Sequence, residues 1–385
     1  MSEIRVDTIS EKTSANGVAV DGVTLKDGAV GAAGTALTVA GIPFYTANDS
    51  IYTHDVSGTD STAANNTAYG NAALDAITTG DDNIAIGKDA GSQITTGAGN
   101  IMIGKDAGDG FDAENENIAI GRDAFHGNVA GGEYNIAIGG LSLGALTSGD
   151  NNVAIGYNAG SAMTSTTGTT LIGFEAGRAH NYDGASYVTM VGHQAGEDQT
   201  TSSYNTGFGA FNQKSSDTEQ HNTSIGYYAM NGANGGGEYN TALGSYVLSG
   251  ASQSGDHNVG VGYRALYVAT SGANNTAIGA LAGDALTTGP HNVLIGKDAG
   301  GKMTEGEKNV ILGSQAGAEL VGDGGDFNIL IGYAAGNALT ACQSNIFIGY
   351  QSGDQHDTES NNLGIGTDSL GGSIAGGEFN VSVGN

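Results

Sequence analysis

A glycine that closes the pattern Asn-x-x-x-Gly returns at a nearly constant interval, as at Gly70, Gly87 and Gly104, and does so as far as Gly384. The mean interval corresponds to about 17 residues, a length typical of a solenoid repeat, in which each coil packs only on its two neighbours. We call this residue the corner glycine and number other positions from it. Asparagine stands at position −4 in 17 of the 19 repeats. The sequence therefore predicts a solenoid.

The residues between the asparagine and the corner glycine have the pattern of a short β-strand. Position −3 is always Ile, Val, Thr or Leu, and position −1 is always Ile, Val, Leu, Phe or Tyr. Alternate residues of a strand point to the same side, and β-branched residues favour strands over helices. The sequence therefore predicts an all-β fold, a parallel β-solenoid (β-roll or β-helix) of about 17-residue coils. Its expected core column contains Ile84, Ile86, Ile101, Ile103, Ile118 and Ile120.

The asparagines and glycines are expected to form a structural corner. Stacked asparagine side chains can hydrogen-bond to one another along the solenoid axis, and glycine allows a positive φ or a crowded neighbour. An asparagine column that binds a ligand or a metal is the alternative. Position +3 is Ala or Ser in 16 of 18 coils, which lets the turn close. The predicted corner ladder is represented by Asn83, Asn100, Asn117, Gly87, Gly104 and Gly121.

Position −2 predicts a second apolar stripe, because it faces the opposite way from −3 and −1. It is Ala or Gly in many coils and becomes larger towards the C-terminus. We expect this stripe to pack against neighbouring chains around a threefold axis, which would make the protein a homotrimeric rod. The candidate inter-chain residues are Leu294, Ile311, Leu330 and Phe347.

Composition and charge exclude several classes of protein. With 68 Gly but only 2 Pro and no Gly-x-y period, the chain is not a collagen. A net charge of −28, with only 12 Lys and Arg, argues against nucleic acid or an anionic membrane as a partner. The sequence has no apolar run long enough to predict membrane insertion, and the single Cys342 excludes an intrachain disulfide.

The motifs of catalysis and cofactor binding are mostly missing from the sequence. There is no Walker-type phosphate loop and no His/Cys set with zinc spacing, so we expect no cofactor and no enzyme. Calcium at acidic turns such as "TTGDDN" stays an alternative. Paired carboxylates could cleave a polysaccharide, and aromatic residues at +1 could stack on sugars rather than form a corner ladder. The carboxylate candidates are Glu114 with Glu116 and Asp354 with Asp357. The aromatic candidates are Tyr157, Phe174, Tyr227, Tyr263, Tyr333 and Tyr350, of which Tyr157 with Phe174 and Tyr333 with Tyr350 lie in adjacent coils.

The chain divides into an N-terminal module, residues 1–48, and a solenoid of about 19 to 20 coils, residues 49–385. Strand-like alternation around Asn-Gly and Asp-Gly turns marks the first part, and "DSIYT" has the pattern of a degenerate first coil. About every third coil carries a Gly-rich insert before an aromatic residue, as in "GGEYN" and "GGEFN". No polar capping coil is visible at the C-terminus, so either a longer natural chain or a partner is expected to cover that end.

The phrases "NIAIGKDAG", "NNTAIGALAG" and "NVAIGYNAG" resemble the head repeats of trimeric autotransporter adhesins, although the coil here is longer. That resemblance covers the chain from Asn66 to its end and implies a trimer of left-handed β-rolls that contacts host surfaces. The opening "MSEIRVDTISEKTSANGVAVDGVTLKDG" resembles the start of bacteriophage tail-fibre proteins. This second resemblance implies that residues 1–48 attach to a phage tail or baseplate protein.

The expected function is the structural shaft of a phage tail fibre, assembled in the host cytoplasm and carried on the virion. Its expected partners are two further copies of the chain, the tail or baseplate, and a glycan or protein of the host surface. Two alternatives stay open. One is a cell-surface adhesin or extracellular filament subunit, and the other is a polysaccharide-degrading tailspike.

Overall fold

The computed structural model describes most of the repeat region and three strands before it. The described residues are 37–39, 42–47, 50–52, 62–127, 130–215, 218–232, 235–250, 252–321, 325–355, 357–372 and 376–385. Within them the chain is all-β, without a helix, and forms a parallel β-solenoid whose coils repeat every 17 to 19 positions. The predicted module at residues 1–48 lies largely outside the described residues, which include only its strands β1 (Leu37–Val39) and β2 (Ile42–Ala47).

Nineteen three-residue strands, one from each coil, form one continuous parallel sheet. They follow a short strand, β3 (Ser50–Tyr52). In chain order the strands are β4 (Thr67–Tyr69), β5 (Ile84–Ile86), β6 (Ile101–Ile103), β7 (Ile118–Ile120), β8 (Ile136–Ile138), β9 (Val153–Ile155), β11 (Thr170–Ile172), β13 (Thr189–Val191), β14 (Thr206–Phe208), β15 (Thr223–Ile225), β16 (Thr241–Leu243), β17 (Val259–Val261), β18 (Thr276–Ile278), β19 (Val293–Ile295), β20 (Val310–Leu312), β21 (Ile329–Ile331), β22 (Ile346–Ile348), β23 (Leu363–Ile365) and β24 (Val381–Val383). Two further strands, β10 (Thr166–Thr167) and β12 (Gly184–Ala185), pair separately.

Neighbouring strands are in register, so the same position of every coil stacks along the axis. Between β5 and β6, for example, Ala85 lies opposite Met102. Eighteen steps between nineteen strands, at about 4.8 Å each, give a rod about 86 Å long. Each repeat of the sequence thus lengthens the rod by one strand spacing.

At the N-terminal end of this sheet, the pairing changes from parallel to antiparallel. Strand β3 pairs in parallel with β4 and places Tyr52 next to Ala68, so it extends the parallel sheet by one strand. Most of the rest of the expected first coil lies outside the described residues. Strand β2 pairs antiparallel with β3, and β1 with β2. The chain therefore enters the solenoid through a small meander.

The strands face the core with their central residue, which reverses the predicted orientation. Ala85 and Met102 are fully buried, whereas Ile84 is 36 % and Ile86 39 % exposed. The other four expected core residues are only half-buried, namely Ile101, Ile103, Ile118 and Ile120. The alternation predicted two faces correctly but not which of them turns inward. The interior is narrow, and the small residues common at −2 fit it.

The predicted inter-chain stripe is correspondingly part of the core. All four of its residues are fully buried inside this single chain, so they cannot contact another one. The residues concerned are Leu294, Ile311, Leu330 and Phe347.

The turns complete the core with two further columns of buried residues. Position +3 contributes buried alanines, and position +7 contributes larger apolar residues such as Ile77, Ile94 and Leu286. Each coil therefore closes around one strand residue and two or three turn residues. Two clusters result, one from Tyr52 to Ala195 and one from Ala229 to Phe347.

Candidate functional site

The corner glycines have a conformation and a packing that exclude a side chain. Their φ angles lie between 123° and 146°. A Cβ on Gly104 would lie 2.4 Å from the carbonyl oxygen of Gly121, the next corner glycine. Both reasons that the sequence suggested for glycine therefore apply at this corner.

The asparagines at −4 form a buried ladder that links three successive coils. The backbone N–H of Asn100 donates to Oδ1 of Asn83 at 3.0 Å, and its Nδ2 donates to the same oxygen at 3.1 Å. The same Nδ2 also donates to the carbonyl oxygen of Glu114 at 2.7 Å. Asn117 repeats the backbone bond to Oδ1 of Asn100 at 2.9 Å. Because these polar atoms bond to one another, the ladder is a structural element rather than a ligand site.

The ladder is interrupted where the sequence has Thr169 and Val188 instead of asparagine. The backbone N–H of Thr169 still donates to Oδ1 of Asn152 at 3.0 Å. Its hydroxyl bonds to that of Ser186, which in turn lies 3.2 Å from Nε2 of the fully buried His180. Burial lowers the pKa of His180 to about 4.

Three buried glutamates anchor the Gly-rich inserts that recur about every third coil. Glu114 accepts from the backbone N–H of Gly131 at 3.0 Å, and Glu359 accepts from Gly376 at 3.0 Å. Glu219 makes the equivalent bond to Gly236 at 2.9 Å. Burial would raise the pKa of Glu359, but hydrogen bonds from backbone N–H groups outweigh this and lower the pKa.

These contacts bear on the two carboxylate pairs considered for polysaccharide cleavage. Glu114 is buried, and its second oxygen accepts from the N–H groups of Asp112 and Ala113. Asp357 accepts a hydrogen bond from the hydroxyl of Thr340. Glu114 thus has a structural role, as an acceptor of backbone N–H groups in two coils.

The outer face of the sheet is a continuous uncharged surface that the repeat builds. It consists of positions −3 and −1 of the nineteen strands, and we call it the sheet face. Every residue in these two columns is Ile, Val, Leu, Thr, Phe or Tyr, and none is charged. The described lysines and arginines and the acidic residues therefore lie elsewhere, on the turns. Ion pairs between neighbours occur there, as between Lys88 and Asp89.

Two columns of aromatic rings flank the sheet face, at positions −5 and +1. At position −5 five rings of consecutive coils contact one another face to face or slightly tilted, with centroids 4.7 to 5.8 Å apart. They are Tyr187, Tyr204, His221, Tyr239 and His257. At +1, Tyr157 stacks on Phe174, and Tyr333 on Tyr350. Rings stacked this way occupy each other's faces, as expected of a corner ladder.

Metal sites and membrane-spanning helices were also considered among the described residues. No group of three or more His, Cys, Asp or Glu residues among them is arranged to hold a metal ion. None of them forms a helix long and apolar enough to cross a membrane. Comparison of the chain with family models, with curated proteins and with solved structures gives no significant match.

Proposed function

We propose that this chain is the structural shaft of a homotrimeric fibre, held together through the sheet face. The supporting observation is a face about 86 Å long that carries no charge, in a chain whose net charge is −28. Strong mutual repulsion opposes the approach of acidic chains elsewhere on their surfaces. An uncharged apolar face is the surface on which they can meet.

The size of the sheet face agrees with a stable interface. A strip about 86 Å long and about 10 Å wide has an area of about 900 Å², close to the ~800 Å² that each partner contributes to a standard interface. Part of this area is aliphatic, as at Ile84 and Ile86, and exposed in the single chain. The homotrimer expected from the sequence thus keeps a physical basis, although on the opposite face of the strand.

The proposal of a phage tail fibre rests on the resemblance of residues 1–28 to such proteins. In that role the solenoid would hold a host-recognition element away from the tail, and residues 1–48 would bind the tail or baseplate protein. A rod whose coils repeat with one backbone geometry is suited to act as a long and stiff spacer. Labelling of phage particles with an antibody against residues 1–48, at the tail, would support this role, and labelling of bacterial cell surfaces alone would refute it.

Native mass spectrometry and negative-stain electron microscopy of the full chain test the shaft directly. We expect a mass of three chains and rods about 90 Å long or longer. The association should persist at about 1 M NaCl, because an apolar interface is not screened by salt. A monomer at micromolar concentration would contradict the proposal, and a dimer would replace the threefold arrangement by a back-to-back one.

A further inference from the structure

A groove runs along one corner of the solenoid, between the columns at +2 and +5. One cavity of about 290 Å³ is lined by Tyr246, Tyr263, Arg264 and Tyr267. A second, of about 400 Å³, begins in the next coil with Leu281 and Asp284 and continues to Asn337. The two cavities follow the same two columns in consecutive coils, so we treat them together. We call the pair the corner groove.

Arg264 differs from the other described basic side chains. Each of the other eight forms an ion pair with a carboxylate, whereas no ion pair of Arg264 occurs among the described residues. Its guanidinium carbon lies 4.1 Å from the ring centre of Tyr267, and its Nε is buried without a hydrogen-bond partner among the described residues. The guanidinium is thus held by an aromatic ring and keeps hydrogen-bonding capacity unused within that part of the chain.

Tyr246 contacts the other two tyrosines of the corner groove edge to face, and it also stacks on Tyr228 of the preceding coil. Tyr246 meets Tyr263 at 86° and Tyr267 at 76°, so these contacts are edge to face. Tyr263 is 52 % exposed, and position +1 of the following coil is Ala280 rather than another ring. No ring of the next coil therefore stacks on Tyr263, in contrast to Tyr333, which Tyr350 covers.

The rest of the corner groove is polar and nearly balanced in charge. Lys302 is paired with Glu319, and Gln315 and Asn337 add amide groups. Asp284 is half-buried beside Arg264, and its burial raises its pKa although the arginine opposes this. Such a lining offers both donors and acceptors to hydroxyl groups without favouring a charged ligand.

We propose that the corner groove binds an uncharged oligosaccharide, with one pyranose ring against Tyr263 and its hydroxyls bonded to Arg264 and the polar residues beyond. An open tyrosine face beside an unpaired guanidinium suits the apolar face and the hydroxyl edge of a sugar. A peptide strand fits less well, because backbone groups along the groove already bond to neighbouring coils, as Arg264 N–H does to Ser245. This binding function goes beyond the shaft and does not depend on its oligomeric state.

Saturation-transfer NMR and calorimetry on the full chain test the proposal with a defined set of probes. The probes are the hexasaccharides of glucose (α-1,4 and β-1,4) and of N-acetylglucosamine, a mannan-derived hexasaccharide, and hexagalacturonate as the acidic comparison. We expect at least one neutral probe to bind with a Kd of about 1 mM or lower. Failure of all neutral probes at that concentration, or binding of hexagalacturonate alone, would overturn the proposal.

Matched variants locate the binding. Tyr263→Ala should weaken it about tenfold, whereas Tyr350→Ala, which alters an equally exposed but stacked tyrosine, should leave it unchanged. Arg264→Met should also weaken it, and Arg264→Lys should restore only part of the affinity. Circular dichroism verifies that each variant is folded. Equal losses in Tyr263→Ala and Tyr350→Ala would show that the sugar binds elsewhere.

Discussion

The solenoid has two parts with an apolar core, and the coils between these parts fill the core with different residue types. The core on either side is built from Ala, Leu, Ile, Met and Phe, in two clusters that end at Ala195 and resume at Ala229. Between them the buried core positions outside the asparagine ladder are mostly amides and hydroxyls, namely Gln199, Ser202, Asn212, Gln213 and Ser224. The backbone and its strand register continue through this region without a change.

The buried side chains between Ala195 and Ala229, a region that we call the polar middle, bond to one another. Nε2 of Gln199 donates to Oε1 of Gln213 at 3.0 Å, and Gln213 donates to the hydroxyl of Ser224 at 2.6 Å. Ser224 donates to Oδ1 of Asn212 at 2.6 Å. Because the coil geometry is the same in both regions, we infer that it depends on the ladder of backbone and asparagine hydrogen bonds. The core can then be apolar or polar, provided that it is filled and its polar groups are paired.

The largest effect should come from the corner glycines, which both regions share. Gly104→Val in the apolar part and Gly209→Val near the polar middle would each drive a side chain into a backbone carbonyl, at 2.4 and 2.3 Å from Cβ. We expect each to lower the free energy of unfolding by about 5 kcal/mol. Urea titration followed by circular dichroism measures this. A mild effect at Gly209 alone would show that the middle does not share the corner geometry.

The core residues at −2 should separate the two regions. Leu294→Ala removes a fully buried side chain from the apolar cluster and should cost about 4 kcal/mol. Ser224→Ala, in the same column of the polar middle, removes one hydroxyl and should cost about 2 kcal/mol. The same titration compares them. If Leu294→Ala instead left stability unchanged but weakened oligomerisation, Leu294 would lie between chains after all.

Acid should act on the border of the polar middle through His180. Its pKa in the folded state is about 4, below the ordinary 6.5, so the unfolded chain binds the extra proton first. The free energy of unfolding therefore includes a contribution from neutral His180 that is complete above about pH 6.5. This contribution is lost as the pH falls towards about 4, and its total is about 3 kcal/mol. Unfolding at pH 7, 6, 5 and 4 measures it. His180→Leu should flatten this profile, whereas His126→Gln, at an exposed position, should not.

The smallest effect should come from exchanging one member of the amide network. Gln213→Leu keeps the volume but removes the acceptor of Gln199 Nε2 and one of the hydrogen bonds of Ser224, at a cost of about 1 kcal/mol or slightly more. The double variant Gln199→Leu with Gln213→Leu should recover part of that loss. Additive losses in the double variant would contradict a coupled network.

Much of this fold follows from the sequence, because a constant glycine spacing and a strand pattern at fixed places leave few alternatives. The structural roles of the asparagine at −4 and of the corner glycine were predicted from the pattern. The sequence did not predict which face of the strand packs in the core, because alternation distinguishes two faces but does not show which of them is buried. The small residues at −2, together with Ile77 and Ile94 at +7, were the signal that could have decided it.

The candidate sites were less accessible to prediction from the sequence. Arg264 and Tyr267 belong to one coil, but Tyr246 comes from the coil before, and only the turn geometry brings the three together. The amide network of the middle likewise joins residues of different coils, such as Gln199 and Gln213. A repeat predicts which residues stack, whereas contacts between columns depend on the path of each turn.

The two faces of the strand should respond to charge in opposite ways, because −2 faces the core while −3 and −1 form the proposed surface where chains meet. The most direct measurement combines circular dichroism and native mass on two triple variants. Glutamate replaces either the three outward residues Ile103, Ile120 and Ile138, or the three inward residues Met102, Ala119 and Ala137.

The outward variant should keep the β-sheet spectrum and become monomeric, because charge is tolerated at the surface but not in the interface. The inward variant should lose the β-sheet spectrum, because it buries three unpaired carboxylates. A folded inward variant beside an unfolded outward one would contradict this assignment of the two faces.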